Sequence, residues 1–278
     1  MNIKFEAVSF SYNHRLPQQI KVLSNINFEI ATGELIGIVG PTGSGKTTLL
    51  QHFTGLLKPA SGIISVDGKD IWQRDFPLSD LRNKIGLVFQ FPESQLFEET
   101  VFADIAFAPR SQKLSAAEIE HRVKSALKLV GLDYDLIKNR SPYHLSQGEM
   151  RRVALAGVLA MAPEMLILDE PTSGLDPAGT SLIVHILQRL QQEGKTIIII
   201  SHNMDLIFQL VNRFLVLDHG EIIFDGDKQT MLNSAHLLTK ARLNLPRVIK
   251  LSRFLWEQGI IQDWKIFSRA ELEKQLTS

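Results

Sequence analysis

The run Gly40-Pro41-Thr42-Gly43-Ser44-Gly45-Lys46-Thr47 constrains this chain more than any other feature. It closes a short apolar stretch, Glu34 to Gly40, that reads as a strand, and opens a segment from Ser44 to Gly55 that reads as a helix. All eight positions fit G-x-x-x-x-G-K-[ST] in the strand-to-helix setting that the pattern requires. Glycine adopts backbone conformations closed to other residues, so successive amides can converge on phosphate oxygens at a helix start. Lys46 is expected to reach the β and γ phosphates. Thr47 is expected to place its hydroxyl on Mg²⁺, with Thr48 beside it.

A second acidic element, Met165-Leu166-Ile167-Leu168-Asp169-Glu170, places two carboxylates where a buried strand emerges. Ligands of parallel sheets gather at the carboxyl ends of the strands. Asp169 is therefore expected in the magnesium shell, and Glu170 is expected to orient or deprotonate the attacking water. Nucleotide hydrolysis on a phosphate loop needs both a metal carboxylate and a water-handling group, so the two motifs support each other.

The rest of the pattern predicts an α/β chain. Residues 2 to 10 and 20 to 30 alternate apolar and polar as strands do. Ile85 to Phe89, Met165 to Leu168, Thr196 to Ile200 and Phe214 to Leu217 are short apolar runs of the kind buried on both faces of a parallel sheet. Helical periodicity dominates residues 101 to 162, notably Ser115 to Val130 and Ser146 to Ala162. After Gly226, the stretches Asp227 to Asn233, Ala235 to Leu243 and Arg247 to Gln258 read as short helices of an appendage.

Composition narrows the function classes. Apolar residues at 44% and charged residues at 22% suit a folded globular chain. Thirty basic residues balance thirty acidic ones, which argues against wholesale binding to nucleic acid or anionic lipid. Zero cysteines exclude disulfides and thiolate metal sites and fit a cytosolic address. The start, MNIKFEAVSFSY, lacks the layout of a secretory signal and reads as mature sequence. The most apolar stretch, Val153 to Leu168, is broken by Pro163 and Glu164. It falls short of the ~20 apolar residues that a spanning helix needs.

Over roughly residues 3 to 230 these motifs resemble the ABC ATPase family. Leu145-Ser146-Gln147-Gly148-Glu149 is similar to the family's signature sequence, so Ser146, Gly148 and Glu149 are expected to face nucleotide. Gln90 ends an apolar strand as the family's Q-loop glutamine does, with an implied role at the metal and in catalysis. Ser173-Gly174-Leu175-Asp176 resembles the D-loop, His202 the switch histidine, and Tyr12 the aromatic residue that stacks on adenine. The resemblance implies a P-loop NTPase core with an antiparallel β subdomain, an inserted helical subdomain at about 91–162 and a small C-terminal helical extension. The expected division is 1–230 for the nucleotide-binding domain and 231–278 for the extension.

Some residues carry two readings. Ser146 with Glu149 three positions on is also a capping box, and capped helix starts attract anions, so both roles are compatible. Gln147 and Glu149 depart from the family's usual Gly and Gln. Arg151 and Arg152 are a pairing common in the family and equally readable as a solvated basic face.

The segment Gln90 to Val101 is unusually apolar for a loop, with Phe91, Pro92, Leu96 and Phe97. It resembles energy-coupling factor ATPases, particularly the second of their two nonidentical ATP-binding subunits. That resemblance implies an ATP-hydrolysing subunit that powers vitamin or micronutrient uptake from the cytoplasmic face of the cell membrane. It also implies a heterodimer with a homologous ATPase, since one motif set supplies half-sites. The Phe91–Phe97 region would dock the integral membrane T component of a complex that includes a substrate-binding S component. The alternatives are a cobalt or nickel importer ATPase, which shares almost all these features, and a soluble ABC ATPase acting on nucleic acid or ribosomes. Balanced charge and the lack of a basic linker weigh against the latter.

Overall fold

A computed structural model describes residues 1–12 and 20–277. In chain order the elements begin β1 (Ile3–Tyr12), β2 (Ile20–Ile30), β3 (Leu35–Val39), α1 (Lys46–Phe53), β4 (Ser61–Val66), β5 (Lys69–Asp70), α2 (Leu78–Lys84) and β6 (Ile85–Val88). Next come α3 (Val101–Ser111), α4 (Ala116–Leu129), α5 (Tyr134–Ile137), α6 (Gln147–Ala160), β7 (Met165–Asp169), α7 (Pro177–Gln192) and β8 (Thr196–Ile200). The chain ends in α8 (Met204–Leu210), β9 (Arg213–Asp218), β10 (Glu221–Asp227), α9 (Lys228–Asn233), α10 (Ala235–Lys240), α11 (Arg247–Glu257) and α12 (Arg269–Leu276). It divides into two compact units: one is chiefly Ile71–Ile198, and the other comprises Asn2–Ile30, Leu35–Asp70 and Ile199–Ser278.

The unit that holds the glycine-rich loop contains an antiparallel sheet in the order β2-β1-β4-β5. Alternation in β1 puts Ile3, Phe5 and Val8 inside, paired with Ile30, Phe28 and Ile26 of β2. Phe5 stacks on Phe28 at 4.6 Å and meets Phe53 of α1 at 4.9 Å, so this sheet seats the helix that follows the loop. Burying each such ring contributes about 1.5–3 kcal/mol. β3, buried at all five positions, pairs in parallel with β9, and β9 pairs antiparallel with β10 through a tight turn at His219 and Gly220. The tail belongs to this unit. Phe267 stacks on Phe208 of α8 at 6.4 Å, and Ile261, Ile266 and Leu272 form a small core with Val248 and Leu255.

In the other unit β6 and β7 pair in parallel, and Met165 to Leu168 are fully buried. Helices α3, α4 and α6 pack together. Ser115 and Glu118 form a capping box at the start of α4, which fixes the helix where periodicity places it. Among the described residues no helix is long and apolar enough to cross a membrane.

Sequence patterns missed β4, β5, β10, α2 and α12. The first half of β4 is exposed, and β10 is exposed or half-buried at nearly every position, so neither shows the apolar run of a two-faced buried strand. Helix α1 begins at Lys46, two positions after Ser44, because Gly43 and Gly45 both take left-handed backbone angles.

Candidate functional site

Gly45 has φ +106°, a conformation that L side chains rarely adopt, and it stands at the N-terminus of α1 with no side-chain cap. No N-cap side chain covers the start of the helix, and the helix dipole favours an anion there. Gly40 is needed for space, since a Cβ at that position would lie 2.1 Å from the carbonyl oxygen of Leu217. The amide of Gly220 donates to the carbonyl of Ser44 at 3.0 Å, so the β9–β10 turn braces the loop from behind. Lys46 curls back, its Nζ donating to the carbonyls of Gly40 and Pro41 at 2.8 Å each. The Thr47 hydroxyl sits on an exposed residue in the first turn, while Thr48 is buried.

Tyr12 lies at the end of β1, 40% exposed, with Oη 3.4 Å from both Thr48 Oγ1 and Gln51 Oε1 of α1. Its ring meets Phe10 edge-on at 4.9 Å. Beneath it His52 is wholly buried, its Nδ1 donating to the carbonyl of Thr48 at 2.7 Å. Burial holds the His52 imidazole below its ordinary pKa. His202 is exposed, just before α8. With Pro41 and Thr42 it lines a cavity of about 490 Å³ whose other wall is the tail, from Arg242 to Lys250. No pattern in the sequence places the tail beside the glycine-rich loop.

In the other unit β7 delivers Asp169 and Glu170. Glu170 is nearly buried and has φ +49°, in the left-handed region unfavourable to a residue with a side chain. Such strain persists where the surroundings over-determine it, and it clusters at functional sites. The amide of Ser173 closes a turn onto the carbonyl of Glu170 at 3.1 Å. Asp176 caps α7, its Oδ1 accepting from the amide of Gly179 at 2.8 Å. Gln90 is exposed at the end of β6.

Ser146 caps α6, with Gln147 and Gly148 exposed in the first turn. The Glu149 carboxylate turns back on Ser146, accepting from its amide at 2.9 Å and its hydroxyl at 2.7 Å. These bonds hold the carboxyl below the usual range, the hydroxyl contributing most. Of the two readings of Ser146 and Glu149, the geometry shows the capping box.

The solvated basic face is corrected at Arg151. Its side chain is buried at 7% exposure, with Nη1 donating to the carbonyl of Ser173 at 2.5 Å and Nη2 to that of Gln90 at 2.9 Å. Arg152 is half-buried and reaches the carbonyls of Gly131 and Gly148. Spacing held a signal: Arg151 is four residues before buried Leu155, hence on the same helix face.

In the segment after β6, Pro92 and Leu96 are buried whereas Phe91 and Phe97 are about half exposed. Phe97 meets exposed Phe107 of α3 edge-on at 5.0 Å, and the Asp104 carboxylate accepts from the amides of Phe97 and Glu98 at 2.9 and 3.0 Å.

A family model described as ABC transporter matches residues 23–173. An energy-coupling factor transporter ATP-binding protein, EcfA2 of Clostridium tetani, is 46% identical over 277 residues, spanning 99% of this chain and 96% of that protein. The EcfA2 of Clostridioides difficile is 42% identical, with 99% and 96% covered. Among solved structures, cbiO1 from Clostridium perfringens, described as part of the ABC transporter complex cbiONQ, is 40% identical with a TM-score of 0.75. The match covers 88% of this chain and 96% of that one. The dimeric cassette MJ0796 in a post-hydrolysis state bound to ADP and Pi is 30% identical, with a TM-score of 0.72 and coverage of 81% and 98%.

Proposed function

The chain belongs to the ABC transporter ATPase family and is an ATP-binding subunit of the energy-coupling factor type, and from that premise we propose a role for each residue of its site. One observation carries the reading most directly: an uncapped α1 N-terminus behind Gly43 and Gly45, with the Lys46 ammonium held on two loop carbonyls. When ATP binds, Lys46 exchanges those carbonyls for phosphate oxygens, where the acceptor carries charge as well as the donor. The amides from Gly43 to Thr48 supply the rest of the cradle. Tyr12 offers its exposed ring to adenine. Ser146 and Gly148 serve the nucleotide of a second ATPase subunit, through the α6 dipole.

Glu170 orients or deprotonates the water, assisted by His202 and Gln90. Its left-handed backbone and near burial suit a side chain held in place before substrate arrives. The candidate metal ligands Thr47, Gln90 and Asp169 all offer oxygen, the donor that a hard cation takes, and Mg²⁺ keeps waters and phosphate oxygens in its remaining positions. Mg²⁺ would offset the charge of the triphosphate there. Asp176, engaged at the start of α7, shapes the turn after Glu170 and faces the second subunit.

The protein works as a heterodimer with a homologous ATPase at the cytoplasmic face of the cell membrane, in a complex with a T component and a substrate-binding S component. Phe91 and Phe97 present the apolar surface that meets the T component. Residues 1–230 act as the nucleotide-binding domain, with the helical subdomain at about 91–162, and 231–278 as the extension between ATPases. Exposed Leu251, Phe254, Trp256 and Ile260 support that last role.

Single-turnover hydrolysis beside equilibrium ATP binding tests the assignment, with the partner ATPase replaced by a matched inactive one. Glu170→Gln should bind ATP and lose ~10²–10⁴ in rate, as expected for a positioned base. Lys46→Ala should fail earlier, at binding. Near-normal hydrolysis by Glu170→Gln in that background would remove Glu170 from the role.

A further inference from the structure

Arg151 is the buried cation that the assigned chemistry does not use. It stands in the second turn of α6, and its guanidinium spends its two terminal nitrogens on main-chain carbonyls far apart in sequence, Gln90 and Ser173. Among the described residues no carboxylate lies within ion-pair distance of it. The nearest countercharge is Glu93, whose Oε2 is buried without a hydrogen-bond partner. A buried cation with only carbonyl acceptors is costly once either acceptor moves away, because the freed N–H groups have no water to turn to. Arg151 therefore holds main-chain positions, whatever side chains the two loops carry.

Packing leaves this task to the guanidinium. A cavity of about 350 Å³ lies alongside, lined by Val88, Leu155, Leu168, Pro171 and Leu182 as well as Arg151. Apolar contact alone thus leaves β6, α6 and the start of α7 room to shift against one another. The link also reaches the hydrolytic residue: Ser173, whose carbonyl Arg151 binds, closes the turn onto the carbonyl of strained Glu170.

We propose that Arg151 is a positioning residue for ATP hydrolysis, a three-way clamp that makes the Gln90 loop, the first turns of α6 and the Ser173–Asp176 loop move as one body. Displacement of the Gln90 loop by a docked membrane subunit then shifts Ser173 and, through its turn, the backbone of Glu170. This rests on the roles given above to Gln90 and Glu170. Arg151 reaches the two carbonyls from two separate nitrogens of one planar fork, whose donor directions are fixed, whereas a lysine brings a single nitrogen with freely rotating donors.

Arg151→Lys, which keeps charge and stem, and Arg151→Met, which keeps only bulk, would be compared with wild type in the purified transporter complex. The readouts are ATPase kinetics and amide hydrogen exchange. Both variants should lose kcat on the order of 10- to 100-fold, the effect of misplacing a reacting group by a fraction of an ångström to an ångström. KM for ATP should stay within about threefold, because a lost transition-state interaction lowers kcat and kcat/KM together. Exchange should quicken together in peptides covering 90–95 and 173–176 and stay unchanged in α4. If Arg151→Met does not fold, Arg151→Lys carries the test. A lowered Tm with kcat within about twofold of wild type overturns the proposal, and so does faster exchange confined to α6. If Glu170→Gln hydrolyses normally, the role of Glu170 falls, yet joint exchange of the two loops still decides the clamp.

Discussion

The amide of Arg247 donates to Oδ1 of Asp205 at 2.6 Å, so a carboxylate from the first turn of α8 caps the first residue of α11. The Arg247 side chain adds an exposed ion pair to the same carboxylate at 3.4 Å. α11 begins after Pro246, which offers no side-chain cap of its own. The helix behind His202 is thereby tied to the tail.

Asp205→Ala should cost about 0.5–2 kcal/mol, as the loss of an N-cap does, with little from the exposed ion pair. Proteolysis should then reach the chain between Ala241 and Arg247 sooner than in wild type. An unchanged denaturation midpoint and an unchanged cleavage rate would show that the cap contributes nothing.

His52 predicts a pH dependence. Its pKa is held low by burial, and its Nε2 is buried without a partner, so the folded protein disfavours the second proton while the unfolded chain accepts it near the ordinary value of about 6.5. Stability from this site is complete above that value and declines as pH falls below it. His52→Asn keeps an N–H donor where Nδ1 stands and cannot titrate. Urea midpoints at pH 7.5 and 5.5 should therefore fall less in His52→Asn than in wild type, whatever the variant's absolute stability. Equal falls would remove His52 as the source.

Glu149 acts here as half of a capping box. Glu149→Ala should lower stability by about 0.5–2 kcal/mol, and Glu149→Gln, which still accepts from the Ser146 amide, by less. Because the carboxyl is held below its ordinary pKa, its contribution is present at neutral pH and is lost only in acid, as pH falls through the lowered value. Nucleotide-driven dimerisation of Glu149→Gln should match wild type. Markedly tighter dimerisation would show that the carboxylate repels phosphate.

Phe97 tests the docking surface. Its exposed ring leans on Phe107, and Asp104 holds its loop from within. Phe97→Asp should retain basal ATPase and thermal stability yet fail to co-purify with the membrane subunits from detergent extracts. Normal assembly and normal transport by this variant would end the assignment.

Elements whose residues all answer to one periodicity were legible in the sequence. Four of the five positions in Thr196–Ile200 are apolar, all five are buried, and the strand falls where the run does. Ser115 and Ser146 start α4 and α6 because a cap is a local interaction, closed within four residues. The glycine-rich loop was legible for the same reason: its backbone angles are set by Gly43 and Gly45 themselves. Partners distant in sequence were not legible. Arg151 looked like half of a solvated pair until folding brought Gln90 and Ser173, 61 and 22 residues away, to its guanidinium. The tail's approach to Pro41, Thr42 and His202 depends on Asp205 and Phe208, which no periodicity singles out. Local chemistry, written in neighbouring residues, determined the fully buried strands, the caps and the backbone of the glycine-rich loop. Which buried charge meets which distant carbonyl was decided by the tertiary structure, because a carbonyl acceptor is present at every residue and carries no mark in the sequence.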